Sequence, residues 1–262
     1  MGLFPLRDSN PLRSITFQYV TVTLIAICVA VFLWQLLQGP AGERVFFRFG
    51  TIPAVLFGSR VLPPELTAIP PTLTLITAMF LHGGIMHLLG NMLFLWIFGD
   101  NVEDSMGHAR YLVFYLLCGI LAGLAHAVVD PASEIPAIGA SGAISGVLGA
   151  YLVLHPRARV LVVMLRITMV WLPAWIVLGL WIGFQVLSAA MGGGGGVAWW
   201  AHIGGFAIGA ILVVPFRRRG VPLFDGMFGG GAIEPDSVER QERRHARSIF
   251  PNTVSRRGPW SR

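Results

Sequence analysis

Six long apolar runs, parted by charged or Gly- and Pro-rich stretches, constrain this 262-residue chain more than any other feature. The first, from about Tyr19 to Leu37, holds no charged residue over a length that matches a bilayer's hydrocarbon core. None of the runs alternates with period two as a membrane barrel strand would. A spanning segment must also satisfy its backbone hydrogen bonds internally, so helices are expected. Composition agrees: with 55% hydrophobic and 12% charged residues, a soluble domain of this size could not clothe its surface. The reading is an all-α membrane protein with spans near 19–38, 84–100, 110–129, 141–155, 170–190 and 197–215. The stretch from Val160 to Trp171 is apolar and β-branched, but Arg166 cuts it and Pro173 follows. It reads either as an interfacial strand or as the start of the fifth helix.

The formal charge is +6, and every basic side chain is Arg. These arginines crowd beside apolar runs and in the tail, which suits membrane orientation better than a nucleic-acid partner. Arg7, Arg13, Arg110, Arg157, Arg159, Arg166 and Arg217 to Arg219 fall on one side, against Arg44, Arg48 and Arg60 on the other. Both termini are therefore expected in the cytoplasm. The first run is too long for a signal-peptide core and reads as an uncleaved helix. Three regions follow: a cytoplasmic segment 1–18, a transmembrane domain 19–216, and a tail 217–262 expected to be cytosolic and disordered. Residues 39–80 form a long outer loop rich in Pro and aromatic residues. Cys28 and Cys118 lie within apolar runs and read as packing residues.

In this topology the second, fourth and sixth spans run in the same direction, and each carries polar residues near its outer end. These are His82, His87 and Asn91 around the second, Ser141 at the fourth and His202 at the sixth. Intramembrane polar groups are costly and usually face the protein interior, so three clusters at one depth should converge. From Ser141 to His155 the fourth span is about 22 Å long, against a core of about 30 Å. With Arg157 and Arg159 at the lower interface, Ser141 lies roughly 8 Å below the upper one. The preceding Pro136–Ala140 must then enter the membrane as irregular backbone, which requires surrounding protein or a wet cavity. At a helix N-terminus, Ser141 would sit in a field that favours an oxyanion. Gly142, Gly146 and Gly149 give the fourth span a small-residue face, and Gly205 and Gly209 do the same for the sixth. Close packing of these faces would bring His202 within reach of the Ser141 hydroxyl.

Taken together these residues resemble the rhomboid family of intramembrane serine proteases. Gly139-Ala140-Ser141-Gly142 matches its G-x-S-G motif, and Ala201-His202 through Gly205 and Gly209 matches A-H-x-x-G-x-x-x-G. His82 and His87-Leu88-Leu89-Gly90-Asn91 resemble the second-helix pattern, and Glu103 to Arg110, with Gly107, the turn that follows it. The resemblance covers roughly residues 72–215 and implies a rhomboid-like bundle of six transmembrane helices. It implies Ser141 as nucleophile and His202 as general base, with His87, Asn91 and the Ser141 N–H as oxyanion donors. His82 would order the first loop or a water. Substrates would be membrane proteins with a transmembrane helix, cut near the outer face of a bacterial cell membrane, and no cofactor or metal is implied. The family uses a dyad without an acidic partner, so His202 is expected to be oriented by packing. Where many relatives place a Tyr that stacks on this histidine, the chain has Ser145, so Trp199 or Trp200 is expected to take over.

Singly, Ser141 reads as a helix N-cap, His202 as a core histidine, and His87 with Asn91 as an interhelical pair. Their convergence favours catalysis. His108, His126 and His155 match no motif and read as packing or interfacial groups. No H-E-x-x-H occurs, and Asp100, Asp104 and Asp130 all lie at span ends, which removes the zinc and aspartyl types of intramembrane protease. A transporter would be expected to show an inverted repeat, and none is visible. An inactive rhomboid-like binder of membrane helices would be expected to lack the Ser or the His. The run Gly192 to Gly196 is expected to cap the site, with Trp175, Trp181 and Phe184 as a lateral gate.

Overall fold

The computed structural model describes residues 3–39, 42–164, 168–192 and 196–225. Arg166, the centre of the glycine run (193–195) and the tail from 226 onward, including Arg240 to Arg247, lie outside them. Six apolar helices carry the fold: α1 (Tyr19–Leu37), α5 (Ile85–Met106), α6 (His108–Val129), α7 (Ser141–Leu154), α8 (Ala174–Ala190) and α9 (Trp199–Phe216). Among the described residues, three short α-helices lie between α1 and α5: α2 (Gly42–Phe49), α3 (Pro53–Leu56) and α4 (Thr74–Thr77). Of the six, α1, α5, α6 and α9 are long and apolar enough to cross a membrane. The apolar α7 and α8 are shorter, at 14 and 17 residues. The chain is a multi-pass helical membrane protein.

α7 is the axis of the bundle. All but three of its fourteen residues are buried, because α5, α6 and α9 all pack around it. Its glycines make that possible. A Cβ on Gly142 would lie 2.9 Å from the Ala122 Cβ of α6, and one on Gly146 would lie 2.6 Å from Cys118 Sγ. On the other side, a Cβ on Gly205 or Gly209 of α9 would run into the Gly142 or Gly146 backbone. The α7–α9 seam is thus backbone against backbone, the contact that small-residue spacing allows in a membrane.

Two boundaries moved for identifiable reasons. The second span continues to Met106 rather than 100, because the polar residues of its last turns are satisfied by protein. Fully buried Glu103 caps the start of α1, accepting from Val20 N (3.0 Å), Thr21 N (2.9 Å), Thr21 Oγ1 (2.7 Å) and His108 Nδ1 (2.6 Å). Asp104 accepts from the backbone of Arg13, Ser14 and Ile15. The fifth span begins at Ala174 rather than 170, because residues 168–173 pair as a strand that ends at Pro173.

An all-α description also omits a three-stranded antiparallel sheet, in the order β1 (Leu3–Asp8), β2 (Arg159–Met164), β3 (Thr168–Pro173). The ambiguous stretch after the fourth span is its central hairpin, and the N-terminal segment adds the third strand. Val160 and Val162 of β2 are buried against the bundle, and Asp8 of β1 accepts a hydrogen bond from the Tyr151 hydroxyl of α7. The compact unit runs on to Asp225. Arg218 N donates to Ser105 O (2.8 Å), and Phe224 N and Asp225 N donate to Val153 O and Leu154 O (2.7 and 2.9 Å).

Candidate active site

Ser141 is the first residue of α7, where first-turn N–H groups have no partner within the helix. The irregular segment before it is held by protein on both sides. Thr51 and Ala137 exchange backbone hydrogen bonds (3.0 and 2.8 Å), and Gly139 N donates to Ala78 O (2.9 Å). These bonds satisfy backbone groups that hydrocarbon could not. Gly139 takes φ +120°, and a Cβ there would meet the His87 ring at 2.8 Å, so this position needs glycine twice over.

Close packing of α7 on α9 brings the His202 Nε2 to 2.8 Å from the Ser141 Oγ. Both side chains are partly buried. From α5, His87 lies against the backbone just before Ser141, and Asn91 Nδ2 is 3.7 Å from the Gly139 Cβ position. The buried Asn91 Nδ2 has no hydrogen-bond partner among the described residues. His87 Nδ1 accepts a long bond from Gly83 N (3.4 Å), which leaves its proton on Nε2, the atom beside Gly139. The four residues picked out in the sequence therefore meet in one place.

His82 is buried behind His87, their rings edge-on at 5.3 Å. Its backbone is clamped by Gln35 of α1, whose amide donates to His82 O and accepts from His82 N, both at 3.1 Å. His108 bonds Glu103 (2.6 Å) and His155 pairs with Ser105 Oγ (3.3 Å), so neither takes part in the dyad's hydrogen bonds.

The surroundings of His202 correct one expectation. It is held by a hydrogen bond as well as by packing, since its Nδ1 lies 2.8 Å from Gln185 Oε1 of α8. Trp181, one turn before Gln185, lies against the imidazole with ring centres 6.0 Å apart and planes 38° apart. Trp199 meets it edge-on at 6.3 Å, whereas Trp200 faces outward. Ser145, at the position of the missing Tyr, turns away and donates to Ser141 O (2.6 Å). Gln185 carries the only amide side chain of α8, and the rule that flags intramembrane polar groups applied to it equally. Of the residues expected to form a gate, Trp175 and Phe184 are exposed, but Trp181 packs inward on His202, Phe94 and Phe206.

Fold and site together define a multi-pass helical membrane protein with a serine–histidine pair enclosed at the start of its central helix. The Rhomboid domain family model matches residues 71–219, more than half of the chain. Rhomboid protease GluP of Bacillus subtilis is 34% identical over 196 residues, covering 74% of this chain and 35% of that protein. The mitochondrial Rhomboid protein 1 of Saccharomyces cerevisiae is 28% identical over 198 residues, 72% of this chain and 50% of that protein. RHOMBOID-like protein 4 of Arabidopsis thaliana is 36% identical over 145 residues, 53% of this chain and 32% of that protein. The chain spans about a third to a half of the length of these relatives. This chain belongs to the rhomboid family.

Proposed function

We propose that the protein is an intramembrane serine endopeptidase that cuts transmembrane-helix substrates near the outer face of a bacterial cell membrane. The observation that carries this reading is the 2.8 Å contact between Ser141 Oγ and His202 Nε2 at the N-terminus of α7. A hydroxyl that can pass its proton to a neighbouring imidazole is a nucleophile. Ser141 Oγ attacks the substrate carbonyl carbon while His202 Nε2 takes its proton. The carbonyl oxygen becomes an oxyanion facing the Ser141 N–H, His87 Nε2 and Asn91 Nδ2. Collapse breaks the C–N bond, and His202 delivers its proton to the leaving amine. Water then enters and attacks the acyl carbon while giving a proton to His202; the bond from that carbon to Ser141 Oγ breaks, the product leaves as an acid, and His202 returns the proton to Ser141 Oγ. Donors fixed in advance in a water-poor site stabilise the developing charge without reorganising.

The arginine distribution supports an orientation with both ends of the 19–216 domain in the cytoplasm and Ser141 toward the outer face. Reconstituted protein incubated with a panel of transmembrane peptides is expected to release two products from some of them. Ser141→Ala and His202→Ala should each abolish cleavage while leaving thermal unfolding unchanged. Native-like turnover in either variant sinks the dyad assignment and leaves a binding role.

A further inference from the structure

We infer that Gln185 is the positioning residue for His202, doing with a neutral amide what a carboxylate does in a soluble serine-protease triad. The inference rests on the dyad reading and adds the group that sets its tautomer. A neutral imidazole has one N–H and one bare nitrogen, and only a bare Nε2 accepts the Ser141 proton. The tautomer is chosen by what faces Nδ1, and here that is the Gln185 Oε1 at 2.8 Å, an acceptor. With the proton held on Nδ1, the lone pair of Nε2 points along the 2.8 Å line to Ser141 Oγ.

An amide suits this location. Gln185 is only 5% exposed, and a carboxylate there would be a buried charge without an opposite charge beside it whenever His202 is neutral. Ring orientation is supplied separately, by Trp181 one turn away on the same face of α8. The two supports of the base therefore both come from α8 and none from α7, where Ser145 turns to the backbone. Movement of α8 away from α9 removes the acceptor and the stacking ring together. His202 thus has both of these supports only while α8 is docked.

The test uses the full chain in liposomes with a cleavable transmembrane peptide, comparing Gln185→Leu and Gln185→Glu with the native protein. Gln185→Leu keeps the bulk and removes the acceptor. It is expected to lower kcat by about 10- to 100-fold with KM within about twofold, and to slow labelling of Ser141 by a small fluorophosphonate to a similar degree. That probe needs an activated serine but no substrate entry, so a purely structural or gating role would leave its rate unchanged. Gln185→Glu restores an acceptor and adds charge, so it should retain turnover while the acid limb of the kcat profile moves to higher pH. Native kcat and labelling rate in Gln185→Leu, or a loss confined to KM, overturn the proposal. If Gln185→Leu fails to fold, the pH profile of Gln185→Glu decides, and an unshifted acid limb overturns it. Because Ser141→Ala is run alongside, the two readings separate. Loss of cleavage there, with native behaviour at position 185, removes Gln185 alone, whereas persistent cleavage removes the dyad itself.

Discussion

Replacing Gly209 by Ala tests whether the α7–α9 seam sets the geometry of the dyad. An added Cβ would lie 2.5 Å from the Gly146 carbonyl carbon and closer still to its oxygen. Carbon atoms in ordinary contact sit about 3.5–4.0 Å apart, so the helices must separate by about 1 Å. The obstruction is backbone, so no rotamer change relieves it. A rigid separation carries His202 from 2.8 Å to roughly 3.8 Å from Ser141 Oγ, beyond hydrogen-bond range. Misplacement of this size costs about 100-fold in rate. Stability should suffer less, since overpacking costs about 1–3 kcal/mol and Ala returns about 1 kcal/mol of helix propensity. The matched control is Gly183→Ala on α8, where a Cβ meets nothing within 4 Å. Turnover of a transmembrane peptide in liposomes is the assay, with thermal unfolding measured on the same samples. Gly209→Ala should be folded and about 100-fold slower, and Gly183→Ala should match the native protein. If both variants turn over within about twofold of native, the seam does not control the dyad and the reasoning fails.

Two further perturbations act at opposite ends of the bundle. Asn91→Ala should lower kcat by about 10- to 1000-fold with little change in KM, since one oxyanion donor contributes about 2–4 kcal/mol; a rise in KM at constant kcat would make Asn91 a substrate-binding group. Asp8, in the strand outside the spans, has its carboxyl pushed up to about 6 by burial, with the Tyr151 hydrogen bond opposing that rise. The fold therefore favours the neutral form. That contribution is full below about pH 4 and is lost as pH rises through about 6. Limited proteolysis of β1 should accordingly be slower at pH 5 than at pH 8, and Asp8→Asn should remove most of the difference. Faster cleavage at pH 5, or an unchanged profile in Asp8→Asn, would refute the assignment.

What the sequence determined alone is the part of this protein that one-dimensional physics controls. Hydrocarbon admits a backbone only if its hydrogen bonds are internal, so six apolar runs became six helices, with ends near those expected. Gly142, Gly146, Gly205 and Gly209 foretold the close seam because only a missing Cβ lets two backbones meet, and that seam carried His202 to Ser141. Tertiary structure decided what depends on partners far along the chain. Gln185 is an ordinary amide in an apolar helix until α8 docks beside α9 and places it on His202 Nδ1. Gln35 acquires its role only when α1 reaches the His82 backbone, 47 residues away. Leu3–Asp8 is interrupted by Pro5 and does not signal a strand, and becomes one because β2 offers it an edge. Glu103 reads as a charge at the end of a span, yet it is fully buried, because the first turn of α1 presents backbone N–H groups that its carboxylate accepts. Hydropathy is a property of a segment and survives in the sequence; a hydrogen bond is a property of two segments, and folding alone brings them together.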